Sequence, residues 1–461
     1  MIDRKKIRGI YFLGIGGIGM SAIARYFLSE GFPVYGYDRT ESSLTNSISD
    51  EGCSVTYEDN PDKLPVLFQD KQNTIIVYTP AIPSDNKLIT FFNNNGYKLF
   101  KRSEILGEIS KGTETIAVSG THGKTTVSTM IAHIMKQSSL DCSAFLGGIS
   151  KNYNSNLILG KGRFTVMEAD EFDRSFHRLN PVIAIVTAVD ADHLDIYGDQ
   201  KTMIAAYNEF FEKIRPGGTL IANKKIIDTI RVPRDLQLFT YGLVDDADFR
   251  AFNIRQMNDK YEFDLATPEK KIHNIHFSFP GMINIENAAA SAAAALIAGV
   301  NEMELRNALS TFSGVSRRFD IRIHYPDLVY IDDYAHHPEE IRACITSVRE
   351  FFRGRKITGI FQPHLFTRTR DHAEGFAEIL DQLDEAILLP VYPAREKPIE
   401  GVTSMMIFEK MRLKKKQLMN KEDIPGKLDI ENLDVLMTIG AGDIDRLVGP
   451  IERELELRRK K

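Results

Sequence analysis

Cysteine is scarce: Cys53, Cys142 and Cys344 are the only three in 461 residues, far apart and in no CxxC pair. Neither a disulfide framework nor a zinc knuckle is thereby supported, and a reducing cytoplasm is the simplest compartment. Long apolar runs are missing too. No stretch of about 18 uncharged apolar residues occurs, so membrane insertion is not expected. The basic N-terminus leads into an apolar stretch broken by five glycines between Gly9 and Gly19, which reads as strand and turn and not as a signal peptide. Charge of one sign is not in excess. A net charge of −5 gives no general pull toward nucleic acid or an anionic bilayer, so any polyanion must be met by local groups. Repeats, low-complexity linkers and HxxxH spacing are also absent, the last of which argues against a zinc hydrolase. What remains is a globular composition, 43% apolar and 26% charged, long enough for about three domains.

Short apolar runs alternate with helical stretches, the pattern of stacked βα units and parallel sheets. "GIYFLG", "PVYGYD" and "NTIIVYTPA" predict strands in the first third, with a helix from Ile18 to Ser29. A boundary is expected near Lys111 to Glu114. "TIAVSG" then opens a second series, followed by a helix from Lys124 to Gln137, strands at "FTVMEAD" and "VIAIVTAVD", and an irregular β-rich part up to Phe279. The Ala-rich run Asn287 to Gly299 predicts a closely packed helix. Alternation restarts after "SGVSRRFDIR", with strands at "LVYIDDYAHHP", "KITGIFQPHLF", "EAILLPVYPA" and "VLMTIGAGDI". The expected division is 1–110, 111–316 and 317–461, and the basic C-terminus is a solvated helix end.

Four stretches carry chemistry. Gly14, Gly16, Gly17 and Gly19 form a turn whose backbone would approach a diphosphate at a helix N-terminus, and Asp38 ends the next strand where an acidic residue holds a ribose hydroxyl. These residues leave open a nicotinamide or flavin cofactor, another diphosphate ligand, or a packing turn with none. "SGTHGKTT" follows a strand and opens a helix: Gly120, Thr121, His122, Gly123, Lys124, Thr125 and Thr126 make a shortened phosphate loop, since Val118 stands where the strict spacing needs glycine. Lys124 would hold the β/γ phosphates of a triphosphate and Thr125 a Mg²⁺ ion. Glu168, Asp192, His193 and Asp195 follow neighbouring strands and face the same crevice. Glu168 with Thr125 suits one ion and His193 a second, the alternative being a cluster of helix caps. In the last third, Arg317 and Arg318 would span a phosphate as a fork, and His336, His337 and Pro338 sit where a strand turns into a helix.

The chain resembles the Mur ligase family through "GIGGIGMS", "GTHGKTT", "EADE", "DADHLD", "SGVSRRFD", "DDYAHHP", "QPHLFTRTR" and "GAGDI", in that order along nearly its whole length. The resemblance implies three α/β domains: a Rossmann-like UDP-sugar domain, a P-loop-type ATPase domain and a Rossmann-like C-terminal domain. Hinges would close over the nucleotide. It implies that ATP and Mg²⁺ are used to join an amino acid, L-alanine, to the lactyl carboxylate of UDP-N-acetylmuramate through an acyl phosphate in peptidoglycan precursor synthesis, with no obligate protein partner. By residue, it implies Lys124 on the phosphates, Thr125 and Glu168 on one metal and His193 on the other. Asn284, Asn287, Arg318, Asp333, His336 and His337 would lie around ATP. Tyr334, His336, His364 and Arg368 would lie near the amino acid, and Gly14, Gly16, Gly17, Gly19, Asp38, Thr79 and Arg102 on the sugar-nucleotide side. Lys124, Glu168, His193 and Arg318 would serve the transfer itself.

Departures from the family pattern are Leu365 in place of an arginine, which puts weight on Arg368, and Met282 and Ile283 in place of an Arg-His pair. The lysine that several members carbamylate has no clear counterpart after Asp195. A rival within the family attaches a whole tripeptide but usually carries a cysteine where this chain has Gly17. A rival outside it is an NAD-dependent oxidoreductase with an incidental GKT, and a third is a non-catalytic nucleotide sensor.

Overall fold

The computed structural model describes residues 6–190, 194–257, 260–394 and 396–459. Three sheets account for the α/β alternation. The first is fully parallel, ordered Ser54–Thr56, Val34–Tyr37, Gly9–Leu13, Thr74–Tyr78, Lys98–Lys101. Chain direction across the sheet reverses at Gly9–Leu13, so the glycine turn that follows it opens at the switch point where such sheets bind ligands. Helix Ile18–Ser29 has the predicted bounds and buries Met20, Ala22, Ile23, Ala24 and Phe27.

The second sheet has ten strands. Its middle is parallel, with Glu114–Ser119 between Phe164–Glu168 and Ile183–Val186, so the loop after Ser119 is flanked by the ends of both neighbours. Two antiparallel pairs finish its edges, Cys142–Ser150 with Ser155–Ile158 and Lys260–Ala266 with Lys271–Phe277. The Ala-rich helix runs from Met282 to Ala298, five residues longer at its start than the alanine run predicts. Gly281, at φ +97°, turns the chain into the helix directly after Pro280, and Asn284 donates back to the Pro280 carbonyl at 2.5 Å. The third sheet is ordered Asp320–His324, Val329–Asp333, Val435–Ile439, Ile357–Phe361, Glu385–Leu388, Lys416–Leu418, parallel but for its first pair.

By packing, the chain forms two compact units. One comprises residues 6–257, 261–278 and 286–313, with the first two sheets; the other comprises 279–285 and 314–459, with the third. In the first unit one apolar cluster runs from Ile10, Phe12 and Phe27 through Phe145 to Phe176 and Phe210. In the second, Ile360, Ile387, Leu436, Ile444 and Ile451 close one face of the sheet. All three cysteines are buried, and burial pushes their thiols up, Cys53 to about 11 and Cys142 to about 12. Among the described residues no helix is long and apolar enough to cross a membrane.

Helix Lys124–Lys136 is tied to helix Glu302–Thr311 by His133, whose Nε2 lies 3.1 Å from the Ala308 carbonyl and from Thr311 Oγ1, and whose Nδ1 lies 3.1 Å from Tyr153 Oη. Burial depresses its pKa from 6.5 to about 4, the Ala308 carbonyl acting weakly the other way. A depressed imidazole favours the folded state while neutral, so its stabilisation is present above pH 6.5 and is lost as the pH falls through 4. Urea unfolding across this range should show a loss of about 3 kcal/mol from this group, and the His133→Gln variant should lack that component.

Candidate functional site

At the opening turn the backbone is closely tied. The N–H groups of Gly14 and Ile15 donate to the Tyr37 carbonyl at 2.8 and 3.1 Å, and Gly17 donates to Gly14. Asp38 accepts from Gly16 N–H at 2.8 Å and from Thr40 N–H at 3.3 Å, so its carboxylate shapes the turn. Thr79 lies against Gly14 on the opposite side. Helix Ile18–Ser29 starts at Gly17 without a side-chain cap, Met20 N–H turning back to the Gly17 carbonyl at 3.0 Å, and such a start favours a bound anion. A Cβ at Gly19 would fall 2.7 Å from Arg102 Nη1; only glycine lets this guanidinium lie on the helix opening. Nη2 of the same group pairs with Asp170 at 3.3 Å.

The phosphate loop is stitched to the neighbouring strand end. Thr121 N–H donates to Ala188 O at 3.0 Å, Asp190 N–H donates to Thr121 Oγ1 at 3.2 Å, and Thr187 Oγ1 donates to His122 O. Gly123, left-handed at φ +79°, begins the helix, with the Asn287 amide beside it. Thr125 and Thr126 are buried in the first turn. Lys124 Nζ donates to Gly120 O at 2.7 Å and to Glu171 Oε1 at 2.8 Å. Burial works against the ammonium, but Glu171, Asp170 and Glu168 outweigh it and hold its pKa above the ordinary lysine value. Glu171 is fully buried, and Tyr197 Oη donates to its main-chain carbonyl at 2.6 Å. Glu168 stands in register with Val118, two residues before the loop. Among the described residues no three His, Cys, Asp or Glu side chains form a metal cluster. His193 and Asp192 lie outside the described residues.

In the second unit, Arg318, Tyr334, His336, His364 and Arg368 form a continuous chain. Arg318 stacks on Tyr334 at 5.0 Å, the His336 ring stands edge-on to Tyr334 at 5.3 Å and to His364 at 5.9 Å, and Arg368 Nη1 is 3.5 Å from His364 Nδ1. Asp333 lies beneath them, accepting from Phe319 and Ala335 N–H, both at 2.7 Å. Burial raises the pKa of its carboxyl. His336 is held below the ordinary imidazole value, first by burial, and its Nδ1 faces the Tyr334 carbonyl at 3.0 Å. His337 begins helix Pro338–Phe351 and packs on His372. Asn284 also belongs to this unit.

Both arginines lie on Tyr334, Arg317 at 5.1 Å and Arg318 at 5.0 Å from the ring centroid; Arg317, in a left-handed turn at φ +63°, also reaches Asp332 at 3.3 Å and the Gly440 carbonyl at 2.6 Å. Leu365, which stands where an arginine was expected, has φ +70° and ψ 137°. Residues missed in the sequence include Glu171, Asp170 and Thr187 in the first unit and Tyr392, stacked on His364 at 5.8 Å, in the second. The first two sit inside "EADE", which was the available signal.

Comparison with known proteins gives consistent matches. Three family descriptions cover the chain in succession: "Mur ligase family, catalytic domain" at 9–113, "Mur ligase middle domain" at 118–295 and "Mur ligase, glutamate ligase domain" at 317–442. UDP-N-acetylmuramate–L-alanine ligase of Parabacteroides distasonis is 47% identical over 98% of both chains, and that of Phocaeicola vulgatus 46% over 98% of both. The crystal structure of UDP-N-acetylmuramate-alanine ligase from Thermotoga maritima is 27% identical, with a TM-score of 0.83 over 98% of this chain and 99% of that one. A murein peptide ligase from Psychrobacter arcticus shares the fold at 20% identity and a TM-score of 0.71 over 97% and 98%.

Gly120 has φ +128°, and a Cβ there would fall on Thr187 Oγ1 and 2.8 Å from the backbone nitrogens of Thr187 and Ala188. Gly120→Ala should therefore cost at least about 3 kcal/mol of stability, read as a drop in denaturation midpoint.

Proposed function

The chain belongs to the Mur ligase family, and on that premise we propose that it joins L-alanine to the lactyl carboxylate of UDP-N-acetylmuramate with ATP, a step of peptidoglycan precursor synthesis in the cytoplasm. The observation that carries this is the 47% identity to a ligase of that name across 98% of the chain. In the same reading the opening turn takes the diphosphate of the UDP-sugar, which leaves the dehydrogenase and sensor readings aside. In this reading residues 1–110 hold the sugar nucleotide, 111–316 the ATP phosphates and 317–461 the amino acid.

A carboxylate is a poor electrophile, being anionic and without an adequate leaving group. In the proposed sequence its oxygen bonds to the γ-phosphorus of ATP and the bond to ADP breaks, giving an acyl phosphate. The amine of L-alanine then bonds to the acyl carbon, and the phosphate leaves. Lys124 offsets the repulsion between the two anions as they approach, so its role is positioning and charge rather than covalent chemistry. The chain of Glu171, Gly120 O and Lys124 keeps the ammonium charged and aimed across the loop. In the second unit Arg318 supplies charge for ATP together with Asn284, Asp333 and His337, and Asn287 of the first unit is assigned to the same nucleotide. His336, whose Nδ1 faces the Tyr334 carbonyl at 3.0 Å and Glu340 Oε2 at 3.4 Å and whose pKa burial lowers, is assigned to take the proton released by the amine. Arg368 and His364 meet the amino-acid carboxylate.

Thr125 and Glu168 offer two hard oxygen donors beside the phosphate loop, which suits Mg²⁺ because this ion takes one or two protein ligands and completes its shell with phosphate and water. The same chemistry explains why no three-residue cluster is needed. His193 is assigned to a second ion. When bound, Mg²⁺ neutralises phosphate charge and polarises the phosphorus–oxygen bonds.

Phosphate release from ATP and Mg²⁺ should require UDP-N-acetylmuramate, prefer L-alanine over other amino acids and over a tripeptide, and stop when the divalent ion is chelated. Turnover only with the tripeptide would move the chain to the recycling branch of the family, and no ATP consumption would overturn the reading. Arg368→Ala should raise KM for L-alanine far more than KM for ATP; equal effects would place the carboxylate elsewhere.

A further inference from the structure

Asn156 lies on Ser155–Ile158, an edge strand of the second sheet, yet its side chain is fully buried and every polar contact it makes is with the helix of the opening turn. Its Nδ2 donates to the Ile18 carbonyl at 2.5 Å and to Ser21 Oγ at 2.8 Å, and its Oδ1 accepts from Arg25 Nη1. Residues 18, 21 and 25 share one face of helix Ile18–Ser29 at the spacing of a single stripe. Arg25 is itself buried. Its Nε donates to Glu51 at 2.7 Å and its Nη2 to Glu51 at 2.6 Å and to Ser47 at 2.9 Å, so this one amide and its neighbours take four of the five N–H groups of a buried guanidinium. The same helix packs Tyr26 on Phe145 of the second sheet, with ring centroids 5.4 Å apart.

Two of the three contacts fall at the start of the helix. Ile18 is the first helical residue, and the start at Gly17 has no side-chain cap, which suits a bound anion. A second side chain from the same part of the molecule acts in parallel, since Asp170 holds Arg102 Nη2 while Nη1 lies over Gly19. Thus the glycine-turn region does not build its own phosphate site alone. We propose that Asn156 is a positioning residue for the diphosphate of the sugar nucleotide, fixing the first turn of the helix from the neighbouring sheet. The inference rests on the function proposed above.

An amide is the group required, because it donates twice and accepts once at this point. Aspartate is nearly isosteric and would keep Arg25 satisfied, but it cannot donate, and a carboxylate oxygen would then face the Ile18 carbonyl. If the first turn shifts, the phosphate loses a hydrogen bond to a helix N–H, and one such bond to a charged group corresponds to about a tenfold loss of affinity. The experiment is calorimetric titration of the full chain with UDP-N-acetylmuramate and, separately, with a non-hydrolysable ATP analogue and Mg²⁺. Asn156→Asp should weaken the sugar nucleotide by that factor and leave the ATP analogue within about twofold. Asn156→Ser, which keeps a donor and removes the repulsion, should lose less, and it serves as the test if the aspartate variant does not fold. Wild-type affinity for the sugar nucleotide in the variants would overturn the proposal, as would equal weakening of both ligands, since a merely structural residue would disturb both. Failure of the wild-type chain to bind UDP-N-acetylmuramate would instead strike the assigned function, and the two failures are read from different titrations.

Discussion

An ammonium and a carboxylate, both largely sealed from water, meet at 2.8 Å where the phosphate loop turns into its helix. Lys124 and Glu171 could not be buried separately, because an unpaired charge in such a place costs several kcal/mol. Much else is arranged so that they can meet. The Glu114–Ser119 strand must lie next to Phe164–Glu168 for the loop and the acidic stretch to emerge side by side, and the short helical turn Phe172–Arg178 must fold the chain back behind Glu171. Thr187, just after the strand on the other side, holds the His122 and Ser119 carbonyls of the loop, and Gly120 O accepts from the ammonium.

Asp170 and Glu171 are neighbours in sequence, yet they serve cations from different parts of the chain, Arg102 beside the glycine turn and Lys124 in the phosphate loop. Since one peptide bond joins them, the backbone that follows Phe164–Glu168 anchors both ion pairs, and a shift of this short stretch would move the two cations together.

Much of this was legible in the residues. Helix Ile18–Ser29, the shortened loop from Gly120 to Thr126 and the restart of alternation after "SGVSRRFD" follow from glycine placement and apolar periodicity, which are local signals. The ligand of the opening turn was not legible, because backbone N–H groups recognise phosphate and not the base beyond it; only the order of eight motifs along the chain pointed to a UDP-sugar. Which acid of "EADE" takes the lysine depends on the turn after it, and the sequence did not show that Arg317 and Arg318 both lie on Tyr334 or that Arg317 also reaches Asp332. Asn156 had no local signature at all, since its partners are 131 to 138 residues away. The early start of helix Met282–Ala298 was missed because the alanines drew the boundary, although Pro280–Gly281 marks it.

The buried cysteines have a use that their scarcity creates. Cys53 immediately precedes strand Ser54–Thr56 of the first sheet, Cys142 begins a strand of the second, and Cys344 lies in the helix that follows Val329–Asp333 of the third. Each thiol is shielded and held mostly protonated near neutral pH, so a thiol-directed reagent meets it when the surrounding structure opens. The chain therefore carries three native clocks, one beside each sheet, and the order in which they are alkylated ranks the local opening free energies without any engineered probe.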